Sequence, residues 1–359
     1  MQPRLLFAGF ACALSLISCQ TPRSTPPVNT VQPLQAQNTI RNRDRFLCVI
    51  EPAKNNRSTV KIMDLQSLWV RRIDLPGRVL TLAGDHATKQ LFLSLRSGTS
   101  NPDYGLYSLD LNDLTLDRPL SFSAANLVPI DFAIRDRKVF VSAKEAGVGG
   151  LISNDLDAGG WEYLASHFPA GLLEWGEQPH LMQSVHFGDD VIERTTIDIR
   201  EKFIVERQRF AHGVPFGNNV GLLSPRGKFF YAFHQLKGEV SLYAFDIESQ
   251  SVNRHVALQK AVGILYSSVI SKDGRYLYAT IDNRIERFEL QGTFLRRMRP
   301  VNLKINEARH LTLSQDQRTL YVTHESSDQI SQIHQIDSEV GYRVDNFPLA
   351  GKNREVLVF

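Results

Sequence analysis

An all-β fold made of seven copies of one four-stranded unit is what this sequence predicts, and three observations predict it. A short strand ending in an acidic residue recurs at Asp64, Asp110, Asp155, Asp198, Asp246, Glu289 and Asp337, a period of roughly 45 residues that signals stacked structural repeats. The aromatic of an apolar, β-rich tetrapeptide recurs in phase at Phe46, Phe92, Phe140, Tyr231, Tyr278 and Tyr321, with a degenerate copy near residue 184. No segment shows a sustained helical period with caps at both ends. A four-stranded unit of this length cannot cover both of its own faces, so it must stack on neighbours, and the radial solution is a seven-bladed β-propeller.

The elements follow in chain order. Arg4 precedes an apolar stretch from Leu5 to Ile17; a charged start and a run too short for a comfortable membrane span are features of an export signal. The tetrapeptide Leu16, Ile17, Ser18, Cys19 resembles a bacterial lipoprotein signal. That resemblance implies removal of residues 1–18 and acylation of Cys19, and several acyl chains give stable membrane anchoring. Gln20, where an Asp would favour inner-membrane retention, implies a cell-envelope address, the outer membrane in a Gram-negative host. Residues 19–44 read as the lipidated Cys and a tether: from Thr21 to Asn42 the chain is rich in Pro, Thr, Gln and Asn, too poor in apolar residues to fold.

The propeller occupies residues 45–359. Its first unit begins at Phe46 with a second strand and continues through Val60–Asp64 and Leu68–Leu75, so its innermost strand is missing. Glu355–Phe359, after the seventh unit has finished, reads as the strand that completes the first blade and locks the ring. The fifth unit runs through Val220–Ser224, Phe229–Phe233, Val240–Asp246 and Val252–Leu258, and the sixth and seventh repeat it. The fourth, Leu172–Phe210, keeps Asp198 but carries Gln183 and Ser184 where its neighbours are apolar or aromatic.

Composition excludes several chemistries. After loss of Cys12 and acylation of Cys19 only Cys48 remains, in the apolar run Phe46–Ile50, where it reads as a small buried thiol. A net charge of +3 over 359 residues, with no basic run, excludes a nucleic acid partner. The repeated acids read as turn residues whose side chains accept backbone amides. Asp110, Asn112, Asp113 and Asp117 lack the glycine and terminal Glu of a calcium loop. Gly147, Gly149 and Gly150 lack the context of a phosphate loop. There is no paired-cysteine haem site and no Gly-x-Ser-x-Gly elbow, and no cofactor is expected. Trp69, Trp161 and Trp175 fall in or beside strands, where rings seal blade against blade.

The strings SPRGKFFYAF, SKDGRYLYAT and SQDQRTLYVT, each followed by an acid-ended strand, resemble the YVTN type of propeller repeat. That type is similar to the lactonase-like and quinoprotein-dehydrogenase-like seven-bladed propellers. The resemblance is a signature of fold, carried by blades five to seven.

In such a ring the loops before each innermost strand and between the second and third strands share one face, at the channel mouth. Counting onto that face gives the ligand-binding candidates Arg78, Glu145, His212, Asn218, Asn219, His234, Glu307, Arg309, His310, His324 and Glu325. His234 and His324 each follow the landmark tyrosine by three residues, while His212 and His310 enter the innermost strands of the same two blades. Those blades are not neighbours, so no metal site is expected. The function read from the sequence is a lipid-anchored, non-catalytic scaffold binding another envelope protein or an extracellular ligand. The alternatives are a lactonase-like hydrolase with its site at the channel mouth and an accessory subunit of an outer-membrane assembly complex.

Overall fold

The computed structural model describes residues 45–358 other than 53–56, 86–87, 99–102, 118–119, 123–126, 146–147, 158, 189–190, 212–217, 237–238, 259–264, 304–307, 325–328, 337–340 and 349–354. The expected signal, Cys19 and the tether lie outside the described residues, as do His212, Glu307, Glu325 and Asp337. The described strands form seven antiparallel sheets. From the second sheet to the seventh, each begins with its innermost strand and steps outward: Arg78–Asp85, Val128–Arg135, Leu172–Trp175, Asn218–Leu223, Leu265–Ile270 and Ala308–Leu313. The first sheet takes its innermost strand from the other end of the chain. Glu355–Val358 pairs with Phe46–Pro52, setting Leu47 opposite Val358 and Ile50 opposite Glu355, and Val356 and Leu357 are buried there.

Each sheet buries its faces against its neighbours. One apolar cluster joins the first sheet both to the second, through Leu91, Leu93 and Leu95, and to the seventh, through Tyr321 and Ile330. Further clusters join the second to the third, the third to the fourth, and so on to the seventh. The apolar core is therefore a continuous belt, and the chain is an all-β propeller. No helix among the described residues is long and apolar enough to cross a membrane.

The motifs have local causes. In SPRG, SKDG and SQDQ the serine hydroxyl accepts the amide five residues on: Phe229, Tyr276 and Thr319, at 2.9, 2.9 and 2.8 Å. This fixes the turn from first to second strand. Its fourth position has positive φ, 65° at Gly227, 73° at Gly274 and 63° at Gln317, which glycine adopts without penalty. The acids close the turns from third to fourth strand: Asp64 Oδ1 accepts the Gln66 and Ser67 amides, and Asp198 Oδ1 those of Arg200 and Glu201.

Register corrects one landmark. Phe46 lies opposite Asp64 as Gln90 lies opposite Asp110, so the first-sheet equivalent of Phe92 is Cys48, two residues on. Cys48 is buried in the first sheet, and burial pushes its thiol pKa well up. By the same register the degenerate landmark of the fourth sheet is Gln183, since Leu181 faces Asp198.

Candidate functional site

Consider the upper edge of the ring, where the chain enters each innermost strand and turns from second to third strand. In four sheets that entry is bulged. The register slips between Val79 and Thr81, Pro129 and Asp131, Leu265 and Ser267, and Ala308 and Leu311. At the matching level the second strands of these sheets carry Ser94, Ser142, Thr280 and Thr323, whereas the unslipped first, fourth and fifth sheets carry Ile50, Val185 and Phe233. In the sixth and seventh sheets the reason is hydrogen bonding. A bulge takes an amide out of the ladder, and the hydroxyl there replaces the lost acceptor: Thr280 Oγ1 accepts Ser267 N at 3.1 Å and Thr323 Oγ1 accepts His310 N at 3.2 Å, whereas Ser142 Oγ accepts the Gly171 amide of the fourth sheet at 3.0 Å.

The bulges re-aim side chains at the end of the channel. Tyr266 and Arg309 occupy the slips of the sixth and seventh sheets, and the Arg309 guanidinium carbon lies 3.8 Å from the centre of the Tyr266 ring. Thr280 Oγ1 donates to the Arg309 carbonyl at 2.7 Å, so one hydroxyl braces both strands. A cation stacked on an aromatic face is held in a fixed orientation.

The other candidates fall as follows. Arg78 opens the second sheet directly opposite Arg96, and Arg96 Nε is buried without a hydrogen-bond partner among the described residues. Asn218 and Asn219 lie opposite Gln235 and His234, Glu145 opposite Val148, and His324 opposite Ala308. His234 and His324 are buried, at 4% and 0% exposure, each within its own sheet, with the sixth sheet between them. The structure therefore brings Arg309 together with Tyr266 but does not bring His234 and His324 together. No group of three or more potential metal ligands occurs among the described residues.

Sequence reasoning missed His186, Tyr266, Arg96 and Glu174. His186 could have been found by the offset that picked His234 and His324, since it stands three residues after Gln183; its Nδ1 lies 3.2 Å from the Ala170 carbonyl oxygen. Glu174 was foreshadowed by the degenerate landmark. It pairs with Gln183, whereas the equivalent innermost positions elsewhere are Leu357, Ala83, Ala133, Leu222, Val269 and Thr312, none of them ionisable. One oxygen of Glu174 accepts the Trp175 amide at 3.1 Å. Burial pushes its pKa up to about 7; the Trp175 hydrogen bond opposes that rise and the Asp131 charge adds to it. Asp131 is itself held by the Phe132 and Leu173 amides, both at 2.8 Å, so it stays fixed beside the innermost strand of the fourth sheet. The upper edge thus offers an anchored cation at the junction of the sixth and seventh sheets, while the innermost strand of the fourth sheet carries, about 10 Å lower at roughly 3.3 Å per residue, a carboxyl group poised to exchange a proton near neutral pH.

An all-β propeller with a polar channel end is the class that fold and site define. Residues 180–343, less than half of the chain, match the family model described as Lactonase, 7-bladed beta-propeller. Among solved structures, a Bacteroides fragilis protein assigned as a 6-phosphogluconolactonase is similar with a TM-score of 0.66 at 14% identity, over 90% of this chain and 99% of its own. A Bacteroides uniformis protein of the same assignment gives 0.62 at 13%, over 88% and 100%. The periplasmic gluconolactonase of Pseudomonas aeruginosa gives 0.58 at 15%, over 88% and 98%. A search of the curated proteins finds no match. The expectation of a non-catalytic scaffold is corrected by the Lactonase match, which favours the hydrolase alternative. The leaning against an enzyme is corrected with it.

Proposed function

We propose that this protein hydrolyses lactones at the upper mouth of a seven-bladed ring, each of the seven sheets counting as one blade. The observation that carries the reading is the Lactonase match over residues 180–343, a stretch that includes the stacked pair Tyr266 and Arg309. In this reading Arg309 holds the lactone carbonyl oxygen and balances the negative charge it acquires in the transition state. Water bonds to the carbonyl carbon and gives up a proton along channel water to ionised Glu174, lower on the wall of the fourth sheet. When the ring C–O bond of the tetrahedral intermediate breaks, the departing alkoxide receives that proton back, giving the hydroxy acid. We also propose that acylation at Cys19 anchors the ring in the cell envelope; the Leu16–Cys19 tetrapeptide after an apolar run supports this.

The test is acid release from a gluconolactone followed by pH-stat against the spontaneous rate. Wild type is expected to accelerate it, and Arg309→Ala to lose about 10²–10³ in kcat with an unchanged melting temperature. A wild-type rate equal to the spontaneous one for this and other sugar lactones would sink the reading.

A further inference from the structure

At the upper edge of the second sheet two arginines stand directly opposite one another with nothing to neutralise them. Arg78 opens the innermost strand, Arg96 lies across from it in the second strand, and Tyr104 lies across from Arg96 in the third. Cross-strand partners share one face of a sheet. Here it is the face toward the third sheet: Phe92, four residues before Arg96, belongs to the apolar cluster joining the two sheets, and Tyr104 packs against that cluster. Neither guanidinium makes an ion pair or hydrogen bond among the described residues, and Nε of Arg96 is buried without a partner. Like charges directly opposite one another destabilise a sheet. Among the described residues one other innermost strand meets its second strand with like charges, and it shows the ordinary remedy. Arg135 lies opposite Lys138, and Asp136 and Asp155 lie 3.9 and 4.0 Å from them.

The second sheet has a carboxylate close by, but on its other face. Asp103 lies opposite Ser97, one residue out of phase with Arg96 and Tyr104. Its charge acts on Tyr107 instead, whose pKa is raised by burial and further by Asp103, and Tyr107 packs on the cluster of the first sheet. The backbone, meanwhile, is built to hold the two arginines together. Gly77 is buried, and a Cβ there would lie 2.7 Å from the Arg96 carbonyl oxygen, so the chain comes as near to Arg96 as glycine alone permits. On the other side of Arg78, the Val79 amide is accepted by Ser58 Oγ of the first sheet at 3.1 Å. Arg78 is thus fixed from both sides. On the facing third sheet, Ala143 of the shared cluster has Pro129 and Gly150 as its cross-strand neighbours, a wall of small residues.

We propose that Arg78 and Arg96 form a binding site for an oxyanion, the carboxylate or phosphate group of a ligand held at the channel mouth. A guanidinium presents a planar fork of donors that meets such a group bidentately, and two forks on one face can hold one group between them. The first sheet separates this site from Arg309 and Tyr266, and the proposal holds whether or not lactones are hydrolysed.

The probes are inorganic phosphate and succinate, each titrated into the full chain by calorimetry at an ionic strength held constant with sodium chloride. Wild type is expected to bind at least one of them, and which one binds distinguishes phosphate from carboxylate. Arg78→Gln and Arg96→Gln are each expected to weaken that binding about 10–100-fold. Arg71→Gln, on the exposed outermost strand of the first sheet, is expected to leave it unchanged. Thermal melts supply a second readout. In chloride alone Arg96→Gln relieves the like-charge contact and is expected to melt at or above wild type; in saturating probe the order reverses, because only wild type gains from the bound anion. Binding of neither probe, or binding that survives both substitutions, would overturn the proposal. So would an Arg96→Gln protein that melts below wild type in chloride, since the guanidinium would then have a counter-charge within the chain, such as Glu145 at the end of the facing strand Lys138–Glu145.

Discussion

The junction of the sixth and seventh sheets and the fourth sheet solve the same packing problem in opposite ways. At the junction the innermost strands are slipped, hydroxyls of Thr280 and Thr323 take the freed amides, and Tyr278 and Tyr321 fill the landmark positions in full burial. In the fourth sheet the register between Leu172–Trp175 and Leu181–Phe187 runs without a slip, yet the landmark is Gln183 and its partner is Glu174. Polarity has been moved from backbone to side chain. At the junction the polar debt is local and settled by a hydroxyl, and the stacked Arg309 is the product. In the fourth sheet the polar group is an ionisable one, left half-buried and out of its ordinary pKa range.

The slipped sheets are the sixth, seventh, second and third, so they form one arc with the first sheet at its middle. That arc is held by the strand Glu355–Val358, through Val356 and Leu357 in the belt of the first sheet. Deleting residues 355–359 removes two buried aliphatic side chains at about 1.5–3 kcal/mol each and leaves Phe46–Pro52 as an open edge. The expected result is a ring that fails to close, seen as loss of the cooperative thermal transition. A truncated protein melting within a few degrees of wild type would mean that the two arcs stand independently.

The comparison is sharpened next at Glu174. Because burial raises its pKa to about 7 from an ordinary 4.5, the folded state binds the proton more tightly than the unfolded chain. Its contribution to stability is therefore full below pH 4.5 and is lost as pH rises to about 7. Glu174→Gln is expected to flatten the stability profile across that window and to be more stable than wild type above it, as thermal melts at pH 5 and pH 8 would report. In the hydrolase reading the same variant lowers kcat by about 10²–10⁴ and removes a rise in rate through pH 7. A stability effect without a rate effect would assign the carboxyl to packing alone.

What the sequence made legible follows the same division. The repeat period, the strand that closes the first sheet and the serine turns could be read because each rests on local chemistry recurring in phase: Ser224, Ser271 and Ser314 accept amides five residues on, and the acids accept their own turn amides. Phe46 was misplaced by two residues because aromatic character was weighed without register, and in that sheet the landmark is the small thiol of Cys48. The candidate site was legible at Arg309 and His310, whose positions follow from counting. Tyr266 and Glu174 were not. Their significance comes from a neighbour one sheet away and from a cross-strand partner, neither of which lies within a turn of them along the chain. Equal offsets from a landmark place His234 and His324 at equal heights in different sheets, so a shared offset along the chain carries no proximity in space.

The smallest effect bears on the slip itself. If hydroxyls stabilise the bulges, replacing Thr280 by the near-isosteric valine leaves Ser267 N without its acceptor and the Arg309 carbonyl without its donor, both at the upper edge. Stranding buried backbone groups costs about 1–3 kcal/mol, so Thr280→Val is expected to lower the denaturation midpoint accordingly. It should also loosen the stacked pair, because the brace on the Arg309 carbonyl is gone while Tyr266 and Arg309 are unchanged. The reciprocal change, Val185→Thr in the unslipped fourth sheet, gains no amide to satisfy and buries a hydroxyl instead, so it is expected to destabilise as well. Should Thr280→Val prove neutral in urea melts while Val185→Thr does not, the slip would owe its existence to side-chain packing around Tyr266 rather than to the hydroxyl. The correlation between Ser or Thr and slipped register would then be a consequence of the bulge and not its cause.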